Sequence, residues 1–288
     1  MKPSPFDYVA PDTVAEAIAL ISGDVREAKV LAGGQSLVPM LSMRLARPEL
    51  LVDITRIPGL GEHRVGPGGE LRIGAAVRQA TAAADPELRT GWPLLAAAID
   101  HIGHPQIRHR GTVCGSLAHH DPAAELPAAA TALDARFVLA GPAGTRTVPA
   151  AEFFVATFET ALADDELLTE VVFPAQSPGR GWAFEELTRR HGDFATVGVC
   201  VVLDRTADIA SAVRIVFCGA GATPVRFPPA ETVLTGARLD AGTLADAAAA
   251  VREHLNPPGD VHASADYRRE AAAHLLTRAV TTAWERTR

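Results

Sequence analysis

The chain has 288 residues, 48% of them apolar, enough to bury one large core or two to three modest ones, and no apolar run approaches the ~20 residues that cross a bilayer. Its formal net charge is −7, with two lysines, both before residue 30, and no basic run; this excludes sequence-independent nucleic-acid binding, which needs a basic surface to displace counterions. Three scattered cysteines, Cys114, Cys200 and Cys218, exclude a disulfide framework or zinc ribbon and suit a reducing cytoplasm.

The first residues, MKPSPFDYVAPDT, contain no apolar h-region, so no secretory signal is expected. Thr13–Ile21 has apolar residues at helical spacing behind Asp12, a residue suited to capping. Val30–Ala32 reads as a strand ending in Gly33-Gly34, and Leu50–Ile54 as another, closed by Pro58-Gly59. Leu71–Ala75 opens a second unit as a strand, followed by helices near Val77–Ala84 and Pro93–His101. Arg136–Leu139 and Thr145–Val148 flank Gly141-Pro142 as a hairpin, and Leu167–Pro174 closes the unit.

Gln176–Gly181 is the best linker, and beyond it the texture changes. Trp182–Thr188, Thr196–Asp204 and Ala212–Gly219 are rich in valine, phenylalanine and threonine and read as consecutive antiparallel strands. Helices near Ala241–His254 and Asp266–Trp284 follow, and strands succeeded by helices indicate an α+β domain.

Two glycine turns carry the chemistry. Ala32-Gly33-Gly34-Gln35-Ser36 follows a strand, where glycine admits φ > 0 and brings backbone N–H groups close to a ligand. Successive N–H groups of this kind make a concave anion site, and Ser36 adds a hydroxyl. An ordinary strand-to-helix turn is the plain alternative, and the spacing is not the G-x-G-x-x-G of a Rossmann NAD site. The second turn, Gly111-Thr112-Val113-Cys114-Gly115-Ser116, has the same ingredients and is followed by Asp121 and Glu125. Carboxylates accept hydrogen bonds from ribose or ribityl hydroxyls; Asp121-Pro122 before an alanine-rich run equally suits a helix start. Two turns about eighty residues apart suit a polyphosphate dinucleotide gripped from two sides.

Five of the ten histidines fall between His101 and His120. A metal site is disfavoured, because His101 and His104 straddle Gly103 beside Pro105, and the adjacent His119 and His120 point different ways. Cys114 has no evident activating base in the sequence.

The segments AGGQSLVPMLSMRLARPELLVDI, IGHPQIRHRGTVCGSLAHHDPAAELP and DVHASADYRREAAAHLLTRA resemble the FAD-binding medium subunits of the molybdenum hydroxylases, among them xanthine dehydrogenase and aerobic carbon monoxide dehydrogenase. The resemblance covers essentially the whole chain. It implies an α+β architecture: a two-lobed FAD-binding domain of the PCMH, vanillyl-alcohol-oxidase-like type over residues 1–176 (lobes about 1–56 and 57–176). An α+β C-terminal domain with an antiparallel sheet and helices is implied over residues 180–288.

By the same resemblance, Ala32–Ser36 wraps the FAD pyrophosphate, Thr112–Ser116 meets the cofactor from the other lobe, and Glu125 binds its sugar-like portion. Ile102 and Gly103 fall where the flavin is lined. Phe194 falls where relatives set a side chain over the isoalloxazine ring, core packing being the alternative. One departure stands out: the family's T-I-G-G is here Thr112-Val113-Cys114-Gly115. A φ > 0 at residue 114 would cost ~1–2 kcal/mol with a side chain, so FAD binding weaker than with glycine is expected.

The implied role is electron transfer, from iron–sulfur clusters to a terminal acceptor. The implied partners are a large subunit with the molybdenum cofactor and a small subunit with 2Fe-2S clusters, since three isolated cysteines cannot ligate such clusters here. Two rival readings keep the fold. One is a stand-alone flavin oxidase or dehydrogenase with His119, His120 or His191 as base; the other is a flavin-free scaffold.

Overall fold

The computed structural model describes residues 2–23 and 27–287; Met1 and Arg288, the outer ends of the two expected domains, lie outside the described residues. A short parallel sheet comes first. β1 (Asp7–Val9) and β2 (Ala28–Leu31) flank β3 (Leu50–Asp53), both paired parallel to it. Parallel neighbours need crossovers, supplied by α1 (Val14–Ile21) and α2 (Leu37–Met43). Thr13, not Asp12, caps α1: its Oγ1 accepts from Glu16 N at 3.1 Å, while Glu16 Oε2 accepts from Asp12 N at 3.0 Å. Threonine wins because it stands three residues before the N–H it caps.

The second unit is an antiparallel sheet with a helical insertion. β4 (His63–Val65) and β5 (Leu71–Gly74) precede α3 (Gln79–Ala84), α4 (Pro86–Gly91), α5 (Pro93–His101), α6 (Pro105–Arg110), α7 (Val113–His119) and α8 (Glu125–Ala132). β6 (Arg136–Gly141) and β7 (Gly144–Pro149) form the expected hairpin. α9 (Ala150–Phe153), β8 (Phe154–Ala156) and β9 (Glu159–Thr160) follow, then β10 (Leu167–Phe173), giving the order β4-β5-β10-β6-β7. The region around Pro105 is helical after all, because proline at the first position of α6 lacks only an N–H that would have no helical partner.

The third unit runs β11 (Gly181–Leu187), β12 (Val197–Thr206), β13 (Ile209–Cys218) and β14 (Val225–Arg226) as an antiparallel sheet in sequence order. α10 (Pro228–Leu234), α11 (Ala241–His254) and α12 (Ala265–Glu285) follow. Strand alternation divides β12 and β13 between two cores. Val197, Val199, Val201, Leu203, Ile215 and Phe217 pack in one core with apolar residues of α10, α11 and α12. Cys200, Val202, Val216 and Cys218 point the other way and join the core that contains α5 and α8. Burial on both faces is why these strands read as nearly continuous apolar runs. Among the described residues no helix is long and apolar enough to cross a membrane.

Candidate functional site

A cavity of about 670 Å³ opens where the three units meet, within the roughly 300–1,000 Å³ typical of ligand clefts. Ala32, Gly33, Gly34, Gln35 and Ser36 line it, as do Gly111, Thr112, Cys114, Gly115 and Ser116, together with Ile102, Gly103, Glu125 and Phe194. Asp121 does not. Its Oδ1 accepts from Ala123 N at 2.9 Å, closing a tight turn, and α8 begins only at Glu125.

The two turns touch. A Cβ on Gly33 would sit 2.5 Å from the carbonyl oxygen of Arg110 and 2.7 Å from Cα of Gly111, so only glycine lets the turn after β2 meet the end of α6. Gly34 has φ +73°, the left-handed conformation open to glycine. Gln35 Nε2 donates to Gly33 O at 3.2 Å and braces the loop. Among the described residues the backbone N–H groups of Gly33, Gly34, Gln35 and Ser36 donate to no protein acceptor. The Ser36 hydroxyl caps nothing in α2. The result is a run of free donors in a cavity wall.

The second turn differs in kind. Thr112 Oγ1 accepts from Gly115 N at 3.0 Å, Ser116 N donates to Thr112 O and Val113 N to Val77 O, so its donors are largely spent on its own geometry. Cys114 lies inside α7, fully buried, with Sγ 3.5 Å from Ile73 O. It is not among the residues with positive φ, so the strain expected from a side chain at residue 114 is absent. Burial pushes its thiol pKa far up, which makes it inert rather than nucleophilic.

Glu125 is 4% exposed, and burial pushes its pKa up to about 8, helped by the nearby Glu186 charge. It has no hydrogen bond to another side chain among the described residues. His101, at the end of α5, places Nδ1 2.9 Å from Glu186 Oε1 on β11. That contact holds the imidazole pKa above its usual value and ties the second unit to the third.

The rim is shared. Arg108 Nη1 donates to Ile102 O at 2.7 Å and to Gly103 O at 3.1 Å, fixing that edge. Gly192 (φ +86°) leans on Gly103, where a Cβ would come 3.0 Å from the Gly103 carbonyl. This contact seats the loop carrying Phe194, which is 61% exposed on the cavity and therefore not a core residue.

Sequence reasoning missed the β8–β9 hairpin and Gln79. Phe158, φ +59° and 55% exposed, lines the cavity beside Glu159 and Thr160. His119 lines it too, its ring 5.0 Å from Phe158, with burial lowering its pKa. His120 is buried; its Nδ1–H donates to Glu159 O at 3.0 Å, while Phe158 N donates back to His120 O. His120 is thus the brace of the hairpin. His104 and His191 are exposed neighbours outside the cavity lining, ring centroids 6.4 Å apart. Gln79 lines the cavity with a buried Oε1 that has no partner among the described residues. Nothing in the sequence around Gln79 marks it, whereas an aromatic beside Glu159 and between Thr157 and Thr160 offers a faint signal for Phe158. Among the described residues no three His, Cys, Asp or Glu side chains form a metal-ligand group.

Comparison with known proteins agrees along the whole chain. Residues 4–176 match the family described as FAD binding domain in molybdopterin dehydrogenase. Residues 182–283 match the CO dehydrogenase flavoprotein C-terminal domain. The alpha subunit of the 6-hydroxypseudooxynicotine dehydrogenase complex of Paenarthrobacter nicotinovorans is 41% identical, the alignment covering 100% of this chain and 97% of that one. The carbon monoxide dehydrogenase medium chain of Hydrogenophaga pseudoflava is 40% identical over 99% of both chains. A solved structure of carbon monoxide dehydrogenase from Hydrogenophaga pseudoflava, lacking the Mo-pyranopterin moiety, superposes with TM-score 0.95 at 40% identity, covering 100% of both chains.

Proposed function

The chain belongs to the FAD-binding medium subunits of the molybdenum hydroxylases, and on that footing we propose that it passes electrons from a partner's iron–sulfur clusters to a terminal acceptor. The observation that carries this reading is the cavity at the meeting of the two glycine turns, with free backbone donors on one wall and a buried acid on another. Such a donor set fits a group with an anionic pyrophosphate and a hydroxylated chain, as FAD has.

FAD supplies an acceptor that exchanges either one or two electrons; the protein binds it, orients it and tunes it. Gly33–Ser36 would take the pyrophosphate on their N–H groups and the Ser36 hydroxyl. Thr112–Ser116 would give close backbone packing rather than many donors, since most of its N–H groups are engaged internally. Glu125 would meet hydroxyls of the cofactor. Ile102 and Gly103, held by Arg108, would form one edge of the ring pocket, and Phe194 would cover the ring from the C-terminal part. In this reading the cofactor-binding part extends to about residue 176 and the C-terminal part begins near residue 180.

The partners are a large subunit carrying the molybdenum cofactor, where substrate is oxidised, and a small 2Fe-2S subunit between the two. The two relatives are named for unrelated substrates, 6-hydroxypseudooxynicotine and carbon monoxide, which fits a substrate choice made outside this chain.

The test is a spectrum followed by a reconstitution. The purified chain should show a flavin spectrum and release FAD, identified by mass. In the complex, substrate should bleach the flavin, and omitting the small subunit should abolish the bleaching. Bleaching by a small molecule in the isolated chain would favour the stand-alone oxidase. A colourless chain that takes up no FAD would leave the scaffold reading.

A further inference from the structure

Glu125, at the start of α8, lines the cavity, and His101 at the end of α5 and Glu186 on β11, hydrogen-bonded to each other, lie close enough to act on it electrostatically. The Glu186 side chain is 6% exposed, with Oε1 accepting from His101 Nδ1 at 2.9 Å and, among the described residues, Oε2 without a partner. Glu125 is buried, interacts electrostatically with both, and among the described residues makes no side-chain hydrogen bond or ion pair of its own. The cluster therefore holds two acids and one imidazole. Burial opposes a second negative charge, so the balanced state keeps one proton on the acids. His101 claims the charge of Glu186 by direct hydrogen bond, which leaves the proton on Glu125. Resting on the FAD reading above, we propose that Glu125 serves the cavity as an uncharged O–H donor to a cofactor hydroxyl. His101 and Glu186 are then the positioning pair that sets its charge.

The other groups around Glu125 do not offset this. Asp121, on the preceding turn, is a like charge. Cys200 on β12 and Cys218 on β13 are buried thiols whose raised pKa keeps them neutral. His119 on α7 is also pushed towards its neutral form by burial. On β13, Arg214 is engaged at the far end of α8, donating to Ala132 O and pairing with Asp134. On β14, Arg226 is held by Glu231, and Glu152 on α9 is exposed. Glu185, beside Glu186, is paired with Arg278. The N-terminus of α8 favours a carboxylate at its first residue, yet burial prevails.

A neutral carboxyl can donate to a hydroxyl and accept from it, whereas a carboxylate only accepts. Ionising Glu125 would also place an uncompensated charge against the cofactor. FAD affinity should therefore fall as pH rises through the Glu125 titration. Removing either member of the pair should move that titration in opposite directions. His101→Gln deletes the imidazole that offsets Glu186 in this cluster, so the midpoint rises. Glu186→Gln deletes the like charge, so the midpoint falls. Shifts of roughly one pH unit each are expected for charges at this range.

The full-length chain is titrated with FAD by flavin fluorescence from pH 6 to 10 in wild type, His101→Gln and Glu186→Gln. In parallel, infrared spectra of the FAD-free wild type are followed over the same range for a protonated carboxylic-acid band, whose pH dependence is read without either binding variant, and Glu125→Gln assigns the band. Opposite shifts of the binding midpoint, with an acid band at pH 7 that is lost on raising pH and missing in Glu125→Gln, support the proposal. Normal FAD binding with midpoints that do not move apart, or no acid band at pH 7, overturns it and leaves the FAD reading standing. No FAD uptake in wild type overturns the FAD reading itself, and the infrared titration still decides the charge of Glu125.

Discussion

Gly33, on the first turn, and Arg110, the last residue of α6 before the second, are pressed backbone to backbone: a Cβ at residue 33 would stand 2.5 Å from the Arg110 carbonyl oxygen. Arg78 Nη1 donates to the same oxygen, so the carbonyl cannot retreat freely. Gly33→Ala should force the turns apart at a cost of ~1–3 kcal/mol. It should also lower FAD affinity at least tenfold. Thermal melts and FAD titration of the variant check both; a tightly FAD-binding Gly33→Ala with an unchanged melt would show that the contact has slack.

The helical placement of Cys114 reverses the expectation formed from its departure from glycine. Cys114→Gly removes a buried side chain and puts glycine inside α7, so it should destabilise by about 1–3 kcal/mol. FAD binding should gain nothing. Urea denaturation and FAD titration of the variant are the measurements; tighter FAD binding would restore the crowding argument. The buried thiol should also resist alkylation in the folded chain.

Burial of Glu125 makes stability depend on pH in a defined direction. Its pKa is raised from 4.5 to about 8 on folding, so the folded chain holds this proton more tightly than the unfolded one. The associated stability is complete below the unfolded value and is lost as pH rises through the folded value. The loss is on the order of 3–5 kcal/mol. In the FAD-free chain, Glu125→Gln should flatten this decline, and denaturation curves at pH 6 and pH 9 measure it. An equal decline in the variant would assign the slope to other groups.

Phe194 is 61% exposed, so its removal should leave stability within about 0.5 kcal/mol of wild type. A ring that covers bound flavin contributes ~0.5–1.5 kcal/mol beyond buried area, so Phe194→Ala should weaken FAD roughly two- to tenfold and change flavin fluorescence. Unchanged fluorescence and affinity would remove Phe194 from the site.

Legibility from the sequence followed the range of the interactions concerned. α5 over Pro93–His101 and α11 over Ala241–His254 were readable, because local spacing defines them, with proline opening α5 and Asp240 capping α11. The donor turn at Gly33–Ser36 was readable because glycine marks backbone geometry. Three features were not. The cap of α1 moved from Asp12 to Thr13 on the choice between two adjacent polar residues. The state of Cys114 depended on where α7 begins. The Phe158 hairpin enters the cavity through a brace by His120, a contact 39 residues distant between ring and Glu159 carbonyl. Glu125 was visible as an acid near a turn, but the burial that raises its pKa, and the added effect of Glu186 from another unit, come from packing that no local pattern marks.

The two-sided burial of the β12–β13 sheet bears on how such proteins can be recombined. Cys200, Val202, Val216 and Cys218 are covered by a core to which α5 and α8 contribute. A chimera joined at the Gln176–Gly181 linker would therefore mate a sheet with helices selected against a different surface. The linker is a seam in the sequence but not in the packing. Compatible exchanges must carry α5 and α8 along with the strands they cover.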